Sequence, residues 1–331
     1  MSKRQRKNIL GWTLGLGISL ICLVGLVRSV DIVETFRIIR HAHVNYVLAA
    51  VCLTLCSYLL RSLRWQMFFA EPVLNFSDSF RCLIVGFFMN NVLPARLGEF
   101  VRAHLGGKAT GLSRALVIAT IAGERLADGL AISAFFAVFF TFGAKPQEIE
   151  QGHLLYQVAY FFAGAASLTA LILAFRKYIL SLVPWIERRL PSKTIAYALE
   201  KGVRFIEGLE PMFALSRLLR IAFFSILIWS LELVVYYCVA QAFGQDLSLG
   251  SLSLFLAATN FSSLVPAAPG GVGVIELFAT FALVQVGLDK EVALSMVSTQ
   301  HIIQICVVGI PGLLFFILKM RGHIPKAVIR V

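Results

Sequence analysis

Apolar runs of membrane-spanning length alternate with short polar stretches along the 331 residues, and two of the apolar regions are interrupted from within. A spanning helix needs about 20 apolar residues. Runs of that kind fall near 9–27, 44–62, 115–140, 156–175, 220–243 and 292–318, and each predicts a full transmembrane helix. The regions 78–108 and 251–287 read differently, each with an apolar arm, a polar bend and a second arm. The first bend is Asn90-Asn91-Val92-Leu93-Pro94-Ala95-Arg96-Leu97-Gly98-Glu99, running on to Arg102. The second is Pro266-Ala267-Ala268-Pro269-Gly270-Gly271-Val272-Gly273-Val274-Ile275-Glu276. Hydrocarbon offers no partner for loose backbone N–H and C=O groups, so irregular backbone at that depth must be buried in protein or line a wet cavity. Both regions predict re-entrant helical hairpins, although two short crossings each leave the same sidedness. Paired interruptions at matching places in two halves point to a transporter's binding site.

Composition agrees with this pattern. The chain is 58% hydrophobic and 15% charged, with a mean hydropathy of +0.82. A soluble domain is about 45–50% apolar and about 25% charged. The expectation is an all-α polytopic membrane protein, a single transmembrane domain over 1–331. The net charge of +12 fits loops on a cytoplasmic face, where Lys and Arg gather. No basic groove or stacking motif accompanies it, so nucleic acid is not an expected partner. Cys22, Cys52, Cys56, Cys82, Cys238 and Cys306 all lie in apolar stretches, with no metal-ligand spacing. No cofactor or metal is expected. Lys3-Arg4-Gln5-Arg6-Lys7 precedes the first apolar run without a small-residue cleavage site, which reads as a signal anchor.

Charge orients the scheme. With the N-terminus inside and each hairpin returning to its starting side, Arg61, Arg64, Lys108 and Arg114 fall inside. Lys145, Glu148 and Glu150 fall outside, as does Asp246. The segment 176–219 and the tail, with Lys319, Arg321, Lys326 and Arg330, fall inside. These assignments obey the positive-inside rule. The first outer loop breaks it, because Arg28, Arg37 and Arg40 outnumber Asp31 and Glu34. An inner-membrane protein with both termini cytoplasmic follows. Basic, amphipathic 176–219, broken at Pro184, Pro191 and Pro211, predicts short helices on an anionic lipid surface, or else a solvated connector.

The two hairpins enter from opposite sides in this scheme, and their surroundings match. Pro94-x-x-x-Gly98 parallels Pro269-x-x-x-Gly273, and a glutamate follows each, Glu99 and Glu276. Gly111-Leu112-Ser113-Arg114 parallels Gly287-Leu288-Asp289-Lys290, and Glu124-Arg125 parallels Gln300-His301. This is the pattern of an inverted repeat, which favours alternating access.

Ionisable residues inside spans are functional candidates, with structural pairing the competing explanation. Arg96, Glu99 and Arg102 share one side of a helix, and two arginines around a glutamate suit a phosphate. Glu124, Arg125 and Asp128 lie within a turn near mid-span and point to the first hairpin, with Arg96 or Arg102 as a partner for Glu124. Gly270, Gly271 and Gly273 offer backbone N–H groups at a helix start, a potential anion cradle. Glu276, Glu232, His301 and Gln304 could complete the site, with His301 able to titrate. Asn90, Asn91 and Asn260 are expected to hydrogen-bond the bends. No P-loop, nucleophile elbow, metal-binding His pair or dinucleotide fingerprint appears, so enzymatic activity is not expected.

The first bend through Arg102, then Glu124-Arg125-x-x-Asp128-Gly129, then Pro269-Gly270-Gly271-Val272-Gly273-x-x-Glu276, resemble the lysylphosphatidylglycerol synthase transmembrane-region family, or flippase-like integral membrane proteins. The resemblance covers nearly the whole chain. It implies movement of a phospholipid or glycolipid between leaflets, without the soluble aminoacyl-transferring domain, because the chain ends soon after the last span. A lipid-modifying enzyme, with Glu124 and Asp128 as acid and base, is the first competing reading. A scaffold for a partner synthase is the second. A homo-oligomer is also open.

Overall fold

In the computed structural model, residues 3–93, 96–143, 164, 168, 171, 175–189, 192–265 and 268–320 are described, and every regular element among them is a helix. Helix α1 (Lys3–Ser29) bends by 83° into α2 (Ile32–Arg40). Asp31 fixes that corner, its carboxylate accepting from the N–H groups of Val33 and Glu34 at 2.9 and 3.1 Å. Then come α3 (Val44–Gln66), α4 (Phe76–Val92), α5 (Gly98–Thr110) and α6 (Arg114–Gly143). The remaining helices are α7 (Arg176–Arg189), α8 (Lys193–Leu209), α9 (Leu215–Ala242), α10 (Leu249–Ser262), α11 (Val274–Gln285) and α12 (Lys290–Met320).

Among the described residues, Val44–Gln66, Leu215–Ala242 and Lys290–Leu318 are long and apolar enough to cross a membrane, and the bent α1–α2 pair makes a fourth if it is one span. Sequence predicts six. Helix α6 has the length, 30 residues, but carries Arg114, Glu124, Arg125 and Asp128. The run at 156–175 and the loop with Lys145, Glu148 and Glu150 lie almost wholly outside the described residues. So do the tail charges beyond Met320, as well as Pro94, Pro191 and Pro266.

Both interrupted regions are helix–break–helix units. Their arms of 17, 13, 14 and 12 residues rise about 18–26 Å at 1.5 Å per residue, short of a hydrocarbon core of about 30 Å. The arms α4 and α5 double back on each other. A Cβ on Gly98 would lie 2.1 Å from the Gly86 carbonyl, and one on Gly86 would lie 2.8 Å from Arg102 Cβ. Small residues permit that approach. In the second break Gly270, Gly271 and Gly273 have φ of 71°, 76° and 88°, left-handed values that a side chain would resist. Helices α10 and α11 also pack against one another.

Of four apolar clusters among the described residues, two hold most of the bundle. The larger gathers Trp229, Tyr236, Phe255, Leu283 and Met296 from α9 to α12, with the Tyr236 and Phe255 rings edge-on at 4.6 Å. The smaller sets Trp65, Phe68, Val117 and Ala119 against Leu209 and Met212. It explains why α8 is docked: a Cβ on Gly208 would meet Ala119 Cβ at 2.7 Å. Two expectations change here. Pro184 lies inside α7 without ending it. Arg61 and Arg64 are not loop charges: α3 runs on to Gln66 and buries both, so they no longer speak for sidedness.

Candidate functional site

The two breaks meet. Arg96 Nη2 donates to Ser263 Oγ at 2.6 Å, and a Cβ on Gly270 would lie 3.8 Å from the Asn91 carbonyl oxygen. Between them lies a cavity of about 390 Å³. The first break supplies Asn90, Asn91, Arg96 and Glu99 to its wall, and the second supplies Ser263, Gly270 and Gly271. Arg125 and Asp128 of α6, Glu232 of α9, and His301 and Gln304 of α12 face the same space. Tyr58 and Arg61 of α3 and Trp229 of α9 complete it.

A network of four arginines and four carboxylates underlies this wall. Arg102 clamps Glu124 with two hydrogen bonds of 2.6 and 3.0 Å. Arg125 reaches Glu99 at 3.3 Å, Glu124 at 3.1 Å and Asp128 at 3.6 Å. Asp128 also accepts from Arg64 at 2.7 Å and from the Trp229 indole at 3.1 Å. Arg61 lies 3.6 Å from Asp128 and 3.2 Å from Glu232, which Ser57 bonds at 2.6 Å. Aromatic faces cover three of the guanidinium groups. Arg102 lies 3.9 Å from the centre of Trp65, Arg61 4.7 Å from Trp229 and Arg125 5.1 Å from Phe87. Charges so deep are tolerated because each has an opposite charge and hydrogen bonds beside it.

Arg96 stands outside the network. Among the described residues it makes no ion pair, and its one side-chain hydrogen bond goes to the neutral Ser263. Its φ of 54° is the left-handed conformation, the only such value at a non-glycine among the described residues. That conformation disfavours a side chain by about 1–2 kcal/mol, and strain of this kind gathers at ligand-binding positions.

On the opposite wall, His301 Nδ1 lies 2.6 Å from Glu276 Oε1, and Nε2 lies 2.9 Å from the Gly270 carbonyl oxygen. The other oxygen of Glu276 accepts from Gly273 N–H at 2.7 Å. The start of α11 is therefore capped by its own carboxylate. The Gly271 N–H is also used, by the Ala268 carbonyl at 2.9 Å. Little of an external anion cradle remains.

The residues singled out from sequence divide accordingly. Asn90, Asn91, Arg96, Glu99, Arg125, Asp128, Glu232, Gly270, Gly271, His301 and Gln304 line the cavity. Arg102 and Glu124 sit behind the wall, 2% and 0% exposed, and bind each other. Arg102 therefore has no free fork for a phosphate, and of the two partners considered for Glu124 it is Arg102 that is in place. Glu276 is also behind the wall, and Gly273 packs on Ser19 and Leu23 of α1. The Asn260 side chain bonds Tyr236 and the Leu256 carbonyl rather than a bend, while its own carbonyl accepts from Ser263 of the second break and the residue lines the cavity. Sequence reading passed over Tyr58, Arg61, Arg64 and Trp229. The signal was there in Ser57-x-x-x-Arg61-x-x-Arg64, which puts two cations on one face of the α3 end.

An all-helical membrane protein with a charged cavity between two broken helices is the class this geometry defines. The Lysylphosphatidylglycerol synthase TM region family matches residues 12–312, and the chain belongs to that family. It is 24% identical to the UPF0104 membrane protein PH1989 of Pyrococcus horikoshii, over 93% of this chain and 96% of that protein. A UPF0104 membrane protein of Methanothermobacter thermautotrophicus is 23% identical over 89% and 91% of the two chains. The UPF0104 membrane protein MJ1595 of Methanocaldococcus jannaschii is 27% identical over 38% of this chain and 39% of its own. No solved structure matches.

Proposed function

We propose that the protein is a lipid translocator working by alternating access, and that it takes a phosphate-bearing head group. In this reading the two broken units are hairpins re-entering an inner membrane from opposite sides, and both termini are cytoplasmic. The head group passes through the cavity while the acyl chains stay in lipid. One observation carries the reading: Arg96, strained and with no carboxylate within ion-pair distance among the described residues, faces a space in which the other guanidinium groups are balanced. A planar, permanently charged fork in such a place suits a phosphate bidentately. The volume of about 390 Å³ falls in the range of ligand pockets, about 300–1,000 Å³. Glu232 Oε2 and Asn90 Oδ1 are buried without hydrogen-bond partners among the described residues and would accept from hydroxyl or ammonium groups of the same head group.

Reconstitution tests this. Purified protein is placed in liposomes with a panel of quenchable fluorescent lipids, beside Arg96→Ala. The expected result is movement of one lipid class between leaflets and its loss in the variant. Equal movement in both removes Arg96 from the site. No movement of any class with folded, inserted protein overturns the translocator reading.

A further inference from the structure

Two similarly placed pairs fasten the breaks to the long helices that follow them, and they differ in one chemical respect. Glu99 stands one residue after Gly98 and Glu276 three after Gly273, while Arg125 and His301 each stand fourteen residues after Gly111 and Gly287. The structure joins Glu99 to Arg125 at 3.3 Å and Glu276 to His301 at 2.6 Å. An arginine keeps its charge at all physiological pH, whereas a histidine can lose its own. The first fastening is permanent and the second can be released.

Hydrogen-bond chemistry fixes how many protons the second pair holds. His301 Nε2 faces a carbonyl oxygen at 2.9 Å, so it must donate and carries a hydrogen. His301 Nδ1 faces a carboxylate oxygen at 2.6 Å, so another proton must lie between them, on the ring or on Glu276. Without it, two lone pairs would oppose each other at that distance. Losing that shared proton sets two lone pairs against each other and breaks the Glu276–His301 hydrogen bond between α11 and α12, leaving the ring held only through the Gly270 carbonyl.

We infer that Glu276 and His301 form a proton-binding site that fastens the second break to α12 and, on the translocator reading, couples its opening to proton release. The surroundings leave this pair chemically separate. Helix α10 has no charged residue, and Glu276 is the only charged residue of α11. On α4, Asp78 and Arg81 lie 3.8 Å apart in its first turns. Around the shared cavity stand Tyr58 and Arg61 of α3, Glu232 of α9, Arg96, Glu99, and Arg125 and Asp128 of α6. Arg61, Glu99, Arg125, Asp128 and Glu232 are already paired with one another. Tyr236 of α9 accepts from Asn260. Arg28 of α1 is exposed, the Asp31 N–H at the start of α2 bonds Glu291 at the start of α12, Glu34 and Arg37 of α2 pair with each other, and Arg40 is exposed.

Two experiments decide it. Full-length protein with isotope-labelled histidine rings is titrated in lipid nanodiscs between about pH 5 and 8. The Nδ1 signal of one histidine, identified by its absence in His301→Gln, should change in that range as its hydrogen bond to Glu276 is lost, whichever of the two groups gives up the proton, and the step should move in Glu276→Gln. An Nδ1 signal that stays unchanged throughout overturns the proposal. In liposomes, His301→Arg copies the permanent pair of the first half. The dependence of lipid movement on pH should collapse from severalfold in the wild type to about onefold in the variant, or movement should stop. The same pH dependence in both overturns the coupling. Titration in the nanodisc without lipid movement in any sample would leave the proton site standing and the translocator reading fallen.

Discussion

At the scale of single residues, burial of charge separates what builds the site from what works in it. Arg102 and Glu124 are almost wholly buried and bind only within the network. Removing one member of such a pair leaves an uncompensated charge, which destabilises a fold by about 3–5 kcal/mol. Arg102→Ala should therefore unfold at markedly lower temperature in detergent. Arg96→Gly should not. It removes one hydrogen bond to a neutral hydroxyl and relieves a left-handed backbone worth about 1–2 kcal/mol, so stability should hold or rise while lipid movement is lost. A loss of stability in Arg96→Gly as large as in Arg102→Ala would make Arg96 a structural cation. The sequence alone could not make this distinction. It sets Arg96 and Arg102 at helical spacing, but Arg96 falls in the break before α5 rather than on its face, and which of them finds a carboxylate depends on where α6 packs.

At the scale of elements, the breaks were legible because backbone chemistry writes them. Clustered Pro and Gly interrupt an apolar run, and α4 ends at Val92 and α10 at Ser262, just before those clusters, while α5 and α11 begin only at Gly98 and Val274. The ends of α3 and α7 were not legible. Arg61 and Arg64 look like a loop until Glu232 and Asp128, far away in sequence, bury them. Pro184 looks like a break but stays helical. The apparent span count suffers likewise, since α6 hides three charged residues in a helix of spanning length. Packing of the first broken unit gives a sharp test. An alanine at Gly98 would put its Cβ 2.1 Å from the Gly86 carbonyl and 2.5 Å from Asn90 Oδ1, both on a close-packed arm. Gly98→Ala should separate α4 from α5 and cost several kcal/mol, beyond the usual 1–3 kcal/mol of overpacking (about). Gly111→Ala meets nothing within 4 Å and loses only its left-handed helix end, about 1–2 kcal/mol. Unfolding both in the same detergent measures the difference. Equal losses would mean that α4 and α5 are not in contact.

At the scale of the whole molecule, the two broken units touch at their breaks, and on the translocator reading that contact is the gate of an alternating-access cycle. A protein that carries a polar head group past this point must part the Arg96–Ser263 and Asn91–Gly270 contacts at some stage. A covalent tie across them should stop the cycle without touching Arg96. A Cβ at Gly270 lies 3.9 Å from Asn91 Cα, which keeps the two Cα atoms within about 5.5 Å, inside the range of about 4.4–6.8 Å over which disulfides form. The pair Asn91→Cys and Gly270→Cys would be made in a chain whose exposed Cys52, Cys56 and Cys306 are replaced. The left-handed backbone at Gly270 resists a side chain by about 1–2 kcal/mol, so the reduced double variant is the proper reference. Oxidation should halt lipid movement and a reductant should restore it. If the oxidised protein moves lipid as fast as the reduced one, the head group does not pass between the breaks, and the charged cavity is a structural core rather than a path.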